Sequence, residues 1–264
     1  MIGLAPVNMR PRMEEALDCI VPLLRGEAVT KKTDWFELNN ARLSVGCYSR
    51  PTMEIAVASI RSPAGVAAAG RHGASVLVLS GVDDEALRHQ VANWKIYEET
   101  CAKHGHKADR GRWSFAIQMH LAETREQAFR DVAYGLEKWI GYSNDIVPAP
   151  NPVPRGLPNP AQWVVDNQRA VIGTPDDAVR EIERMLEITG GFGGFLVFAQ
   201  DWANWGATKR SLELIAEEVR PRINGSNWLR QASYDRNAPI QEANRAAARA
   251  GVTDAMERFQ KGRG

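Results

Sequence analysis

Residues 52–73 read TMEIAVASIRSPAGVAAAGRHG, and this stretch decides the fold. A run of β-formers ending at Ser59 gives way within three residues to a helix. Ser62 is a favoured N-cap, and Pro63 suits the first helical position, where no amide hydrogen is needed. Small residues (Ala64, Gly65, Ala67, Ala68, Ala69) fill the first turns, so a bulky group can approach the backbone. A helix N-terminus with exposed amides and a hydroxyl cap suits a phosphate. On these residues alone, an ordinary capped helix in an α/β protein is the competing reading.

Working outward, the same strand-then-helix rhythm repeats. SVLVLSG (75–81) predicts a strand and Asp83–Lys103 a helix. WSFAIQMHLA (113–122) predicts a strand, and Thr124–Ile140 a helix opened by a Thr124/Gln127 capping box. A helix capped by Thr174, with Pro175 in its first position, follows AVIG. FGGFLVFAQ (192–200) predicts the last buried strand, before a helix from about Ala207 to Val219. Gly190, Gly191, Gly193 and Gly194 suit a tight helix-to-strand turn rather than a dinucleotide fingerprint. This makes four βα units, hence a parallel sheet with helical cover.

Before these units, RPRMEEALDCIVPLLRGE (10–27) predicts an amphipathic helix with Met13, Ala16, Leu17, Ile20 and Leu24 on one face. Pro22 is expected to bend or end it early. DWFELNNARLSVG (34–46) alternates around Asn39-Asn40, which reads as a hairpin. The proline-rich stretch 144–160 reads as a long loop inserted in a first domain spanning 1–224. Residues 225–264 read as a polar, partly helical tail.

Composition bounds the function. The 264 residues are 44% hydrophobic and 25% charged, with formal net charge +1, which gives no electrostatic argument for nucleic acid or a membrane surface. Cys19, Cys47 and Cys101 lie far apart, with no CxxC pair; they read as buried or half-buried thiols in a reducing compartment. No apolar stretch is long enough to span a bilayer and no signal-peptide pattern opens the chain, so the expected location is cytoplasmic. No two histidines or acids have metal-ligand spacing, so no metal is expected.

Five segments together, RMEEALDCIVPLLRGE, DWFELNNARL, IAVASIRSPAGVAAAGRHG, VIGTPDDAV and TGGFGGFLVFAQDWA, resemble the luciferase-like flavin-dependent monooxygenases, in the right order and at the right distances. The likeness covers roughly Gly3 to Asn224 and is nearest to the limonene 1,2-monooxygenase and bacterial luciferase branch. It implies a (β/α)8 TIM-barrel-type α/β fold of which this sequence carries the C-terminal half, strands 5–8. It implies reduced FMN delivered by a flavin reductase, O2 as co-substrate, and a small apolar substrate such as a terpene or aldehyde. A deazaflavin, F420, is the alternative cofactor, since the same fold hosts both. A non-catalytic half barrel is the alternative function, and an open half barrel is expected to pair as a homodimer. An open α/β sheet binding another phosphate-bearing ligand ranks last, because ASIRSPAG is not a nucleotide fingerprint.

Carried onto this chain, the resemblance aligns Arg61 and Ser62 with the positions that receive the FMN phosphate, and Gly65 with a later phosphate contact. Ser59, at the end of its strand, faces the flavin or simply ends the strand. Arg12 matches the arginine opening the family's fourth helix, which implies a cofactor-binding place near the phosphate, against the reading of an N-terminal surface arginine. His120, at the C-terminal end of WSFAIQMH, is the one candidate base, against the commoner role of a packed histidine. Trp202 and Trp205 are candidates for a substrate-pocket wall or for plain packing. His72 reads as structural; His89, His104 and His106 read as solvated.

Overall fold

Two prolines lie inside the opening helix, α1 (Pro6–Leu24), yet neither ends it. The computed structural model of the chain describes residues 5–79, 81–146, 152–225 and 228–262. The expected early stop at Pro22 moves to Leu24, because Arg25 N–H still bonds the carbonyls of Val21 and Pro22. The inward residues are Leu17, Cys19 and Val21, while Ile20 is exposed. The single apolar stripe expected from the sequence is therefore corrected: α1 packs on both a hairpin and helix α2 (Pro63–His72).

That hairpin joins β1 (Val29–Lys32) and β2 (Glu37–Ala41). Its turn is at Thr33–Phe36, not at Asn39-Asn40. The Thr33 hydroxyl accepts from the Phe36 and Trp35 amides, and Thr33 N–H donates to Phe36 O at 2.9 Å. Asn40, with φ of 48°, instead marks the register shift inside β2.

The main sheet is parallel. β3 (Ala56–Ser59), β4 (Ser75–Val78), β5 (Trp113–Leu121) and β7 (Gly194–Phe198) lie side by side in that order, as the repeated strand-helix pattern requires. A fifth strand, β6 (Val171–Gly173), pairs with the last three residues of β5 and is an addition to the four expected. Helices α2, α3 (Asp84–Lys103, capped by the Asp83 side chain) and α7 (Pro175–Thr189) cover one side. Between them Trp94 stacks on Trp113 at 4.6 Å, and Phe115 and Phe192 extend the aromatic core. Arg110 lies 5.5 Å from both the Trp94 and Trp113 ring centroids and donates to the carbonyls of Thr189 and Gly191, tying the end of α7 to the start of β5.

The helix expected over Thr124–Ile140 is two helices, α4 (Arg125–Val132) and α5 (Leu136–Asp145). The break is imposed from a distance. Gly135 N–H donates to Trp202 O at 2.9 Å, and a Cβ at Gly135 would run into the Asp201 carbonyl. The stretch 144–160 is partly anchored: the Asn144 side chain both donates to and accepts from the Val153 backbone. A short helix, α6 (Pro160–Asp166), follows; residues 147–151 of the expected loop lie outside the described residues. Val132, Leu136, Ile140, Val153, Val164 and Trp202 form a common apolar cluster.

Helix α8 (Trp205–Leu214) follows β7. The chain divides into two compact units at Leu212, whereas the sequence pattern suggested a boundary after Asn224. The second unit contains a π-helical turn at 215–219 and helices α9 (Arg220–Asn224), α10 (Trp228–Asn237) and α11 (Gln241–Lys261). Helices α10 and α11 bury no side chain. No helix among the described residues is long and apolar enough to cross a membrane.

Candidate functional site

In a parallel sheet all strand C-termini lie along one edge, and ligands of open α/β sheets bind outside that edge. Two constellations of this chain sit there.

The first is the turn from β3 to α2. Ser62 caps α2, its Oγ accepting from Ala64 N–H at 3.3 Å. The Ser62 hydroxyl therefore keeps its own proton to donate. The Arg61 and Ser62 amide N–H groups donate to no protein acceptor among the described residues. Ser59, only 2% exposed, has a hydroxyl with no partner. A Cβ at Gly65 would stand 3.0 Å from Ala58 O and 3.7 Å from the Ser59 Cα and Cβ, so only glycine brings the first turn of α2 this close to the strand end. The Arg61 side chain is exposed beside the turn.

The carbonyl side of the same turn is held by α3. Gln90 Nε2 donates to Ile60 O at 2.5 Å; His89 Nε2 and Asn93 Nδ2 reach Arg61 O at 2.6 and 3.4 Å. Gln90 and Asn93 are 1% and 2% exposed. None of the three is evident as a site residue in sequence. Their one signal is polarity on an otherwise apolar helix face that buries Ala86, Leu87, Trp94 and Tyr97. His89, expected to be solvated, is exposed and yet engaged; His106, likewise expected to be solvated, packs on Gly73 and bonds Arg71 O.

The second constellation lies past β5 and β7. His120 is buried, its Nε2 3.4 Å from Asp131 Oδ2, and Asp131 is held in turn by Gln127. Burial pushes the His120 pKa below its ordinary value, with Asp131 opposing. A cavity of about 30 Å³, room for roughly one water molecule, is lined by His120, Phe198, Trp202, Thr208 and Ser211. Trp202 is buried edge-to-face on Trp139 at 5.2 Å, and its indole N–H lacks a partner. Trp205, by contrast, is 76% exposed and does not line this cavity.

Arg12 stands apart from both. Its guanidinium lies 3.4 Å from Asp34 and 5.4 Å from the Trp35 ring centroid, and no hydrogen bond or ion pair joins it to residues 59–65 among those described. A larger cavity, about 470 Å³, lies among α4, α6, α7 and β6. Its arginines are matched by acids: Arg125 and Arg180 by Asp177, Arg184 by Glu181. His72, half-buried at the end of α2, lies 3.3 Å from Asp18. Among the described residues no group of three His, Cys, Asp or Glu side chains could hold a metal ion.

Known proteins share this fold. The profile of the luciferase-like monooxygenases matches residues 1–191. Limonene 1,2-monooxygenase of Rhodococcus erythropolis is 39% identical over 263 residues, covering 98% of this chain, which spans 66% of that relative's length. The oxygenating constituent of 3,6-diketocamphane monooxygenase from Pseudomonas putida, a type II Baeyer–Villiger monooxygenase solved with FMN, superposes with a TM-score of 0.58 at 26% identity; the match covers 78% of this chain and 62% of that one. An F420-dependent secondary alcohol dehydrogenase solved with an F420–acetone adduct has the same fold, with a TM-score of 0.58 at 16% identity over 83% of this chain and 64% of that one. The parallel α/β sheet and the sequence together establish that this chain belongs to the luciferase-like monooxygenase family.

Proposed function

We propose that this chain acts in a flavin-dependent monooxygenase that uses reduced FMN and O2 to oxygenate a small apolar substrate, such as a terpene or aldehyde. The observation that carries the reading is the β3–α2 turn: a buried hydroxyl without a partner, two undonated amides and a glycine cradle at a helix N-terminus. Those are the groups that receive a phosphate.

Ser62 supplies the hydroxyl donor and the Arg61 and Ser62 amides the backbone donors. The exposed Arg61 guanidinium adds a charge-assisted bond to the dianion. Gly65 lets the first turn of α2 approach the strand end, which brings the turn amides beside the buried Ser59 hydroxyl. The bound reduced flavin supplies two electrons, so that one oxygen atom enters the substrate and the other leaves as water. Trp202 excludes solvent beside His120, and the His120–Asp131 pair holds a proton at Nε2. A separate flavin reductase provides the reduced cofactor, and a second copy of this chain is the proposed partner for the sheet's edges. The three free cysteines fit a reducing, cytoplasmic setting.

The test is a fluorescence titration of the chain with FMN beside Ser62→Ala. Saturable binding weakened about tenfold by the substitution, about 1.4 kcal/mol, is the expected result. A folded chain that does not bind FMN overturns the reading. The F420-dependent neighbour favours a second reading, hydride transfer from a reduced deazaflavin. Substrate turnover without O2 consumption would select it.

A further inference from the structure

We propose that His89, Gln90 and Asn93 of α3 are positioning residues that aim the phosphate-binding amides of the β3–α2 turn, and so set the preference for phosphorylated over unphosphorylated flavin. This rests on the phosphate reading of that turn.

The geometry follows from the peptide unit. A trans peptide is planar, and its C=O and the next N–H point in opposite directions. The Ile60 carbonyl belongs to the same plane as the Arg61 N–H, and the Arg61 carbonyl to the same plane as the Ser62 N–H. Gln90 holds the first carbonyl toward α3; His89 and Asn93 hold the second. Both N–H groups must therefore point away from α3, where they find no protein acceptor among the described residues. Three side chains on one face of a long helix thus fix two successive donors in parallel. Turn residues with no such tether would sample other orientations, and a ligand would bear the entropy of ordering them.

The tethers interlock. Asn93 Nδ2 also lies 3.5 Å from Gln90 Oε1, so each buried amide fixes the other. Tyr97, one turn further along α3, donates to Ala74 O at 2.9 Å just before β4. The helix is thereby registered against the sheet as well as against the turn. The unpartnered, buried Ser59 hydroxyl supports the same reading independently, because buried polar groups are otherwise hydrogen-bonded.

The experiment measures FMN and riboflavin dissociation constants for the wild-type chain and for His89→Ala, Gln90→Leu, His89→Gln and Ser62→Ala. Riboflavin lacks the phosphate, so the ratio of the two constants isolates the turn. His89→Ala and Gln90→Leu are each expected to weaken FMN about fivefold, the size of one net hydrogen bond, with riboflavin unchanged. His89→Gln, which keeps a donor, is expected to restore the ratio. His89 is exposed, so His89→Ala tests the idea even if Gln90→Leu does not fold. If both tether variants keep the wild-type ratio while Ser62→Ala lowers it, the tether is overturned and the phosphate reading stands. If Ser62→Ala leaves the ratio unchanged, or the chain binds neither flavin, both are overturned.

Discussion

Ser59 shows what a single residue reveals about a site. A hydroxyl buried without a partner loses its hydration and gains nothing in return, a cost of about 1–3 kcal/mol. Ser59→Ala removes that cost and orphans no other group, since the hydroxyl bonds to none. The ligand-free variant is therefore expected to melt higher than wild type, by about 2–4 °C for each kcal/mol recovered. Saturating FMN, in turn, is expected to raise its melting temperature less than it raises that of wild type, because the ligand loses the Ser59 contact. Paired thermal melts with and without FMN check both halves. A variant whose ligand-free stability falls would show that the hydroxyl already has a partner. Ser62 was legible in the sequence because capping is local. The state of Ser59 was not, because it depends on Gly65 bringing α2 down onto the strand end.

At the scale of elements, α7 illustrates local determination. Thr174, Pro175, Asp176 and Asp177 specify its start in four consecutive residues, and the capping box forms. Asp177 Oδ2 accepts from Thr174 N–H at 2.9 Å and from its hydroxyl at 3.1 Å, while the Arg125 guanidinium bonds the same carboxylate. Arg125 first, then Thr174, hold the Asp177 pKa down to about 2. A folded-state pKa below the unfolded value means the unfolded chain binds the proton more readily. The contribution is then fully present above about pH 4 and disappears as pH falls toward 2. Asp177 is largely buried but Arg125 is exposed, so solvent screening limits it to about 1–2 kcal/mol. Asp177→Asn is expected to lower stability by that amount at pH 6 in urea denaturation, with the gap to wild type closing near pH 2.5. An undiminished gap at pH 2.5 would assign the effect to packing instead. Other element boundaries were hidden for non-local reasons. The α4–α5 break answers to the Asp201 carbonyl, more than sixty residues onward, and β6 is only three residues long. The hairpin turn is closed by the Thr33 hydroxyl rather than by the Asn39-Asn40 pair that the pattern favours.

Across the whole molecule, the strand-helix rhythm made the parallel sheet legible, while the site's supports were not, because α3 reaches the β3–α2 turn across about thirty residues of chain. The sheet also poses a problem that it does not solve alone. β3 and β7 each have one strand neighbour among the described residues, and Ile60 just after β3 and Leu196 and Phe198 within β7 are 38–56% exposed. Open edges and exposed apolar side chains favour association. A two-fold axis running along the strands would set β3 of one copy beside β7 of the other, and β7 beside β3, keeping every strand parallel. Leaving aside the three-residue β6, which pairs only with the end of β5, the β3, β4, β5 and β7 strands of the two copies then make a closed ring of eight, the number of a complete α/β barrel. Sedimentation equilibrium is expected to give a dimer for the wild-type chain. Leu196→Glu combined with Phe198→Glu is expected to dissociate it with the circular dichroism spectrum unchanged, because both side chains are exposed in the single chain. A wild-type chain that sediments as a stable monomer would mean that the sheet tolerates its open edges, and that a second copy is not what covers them.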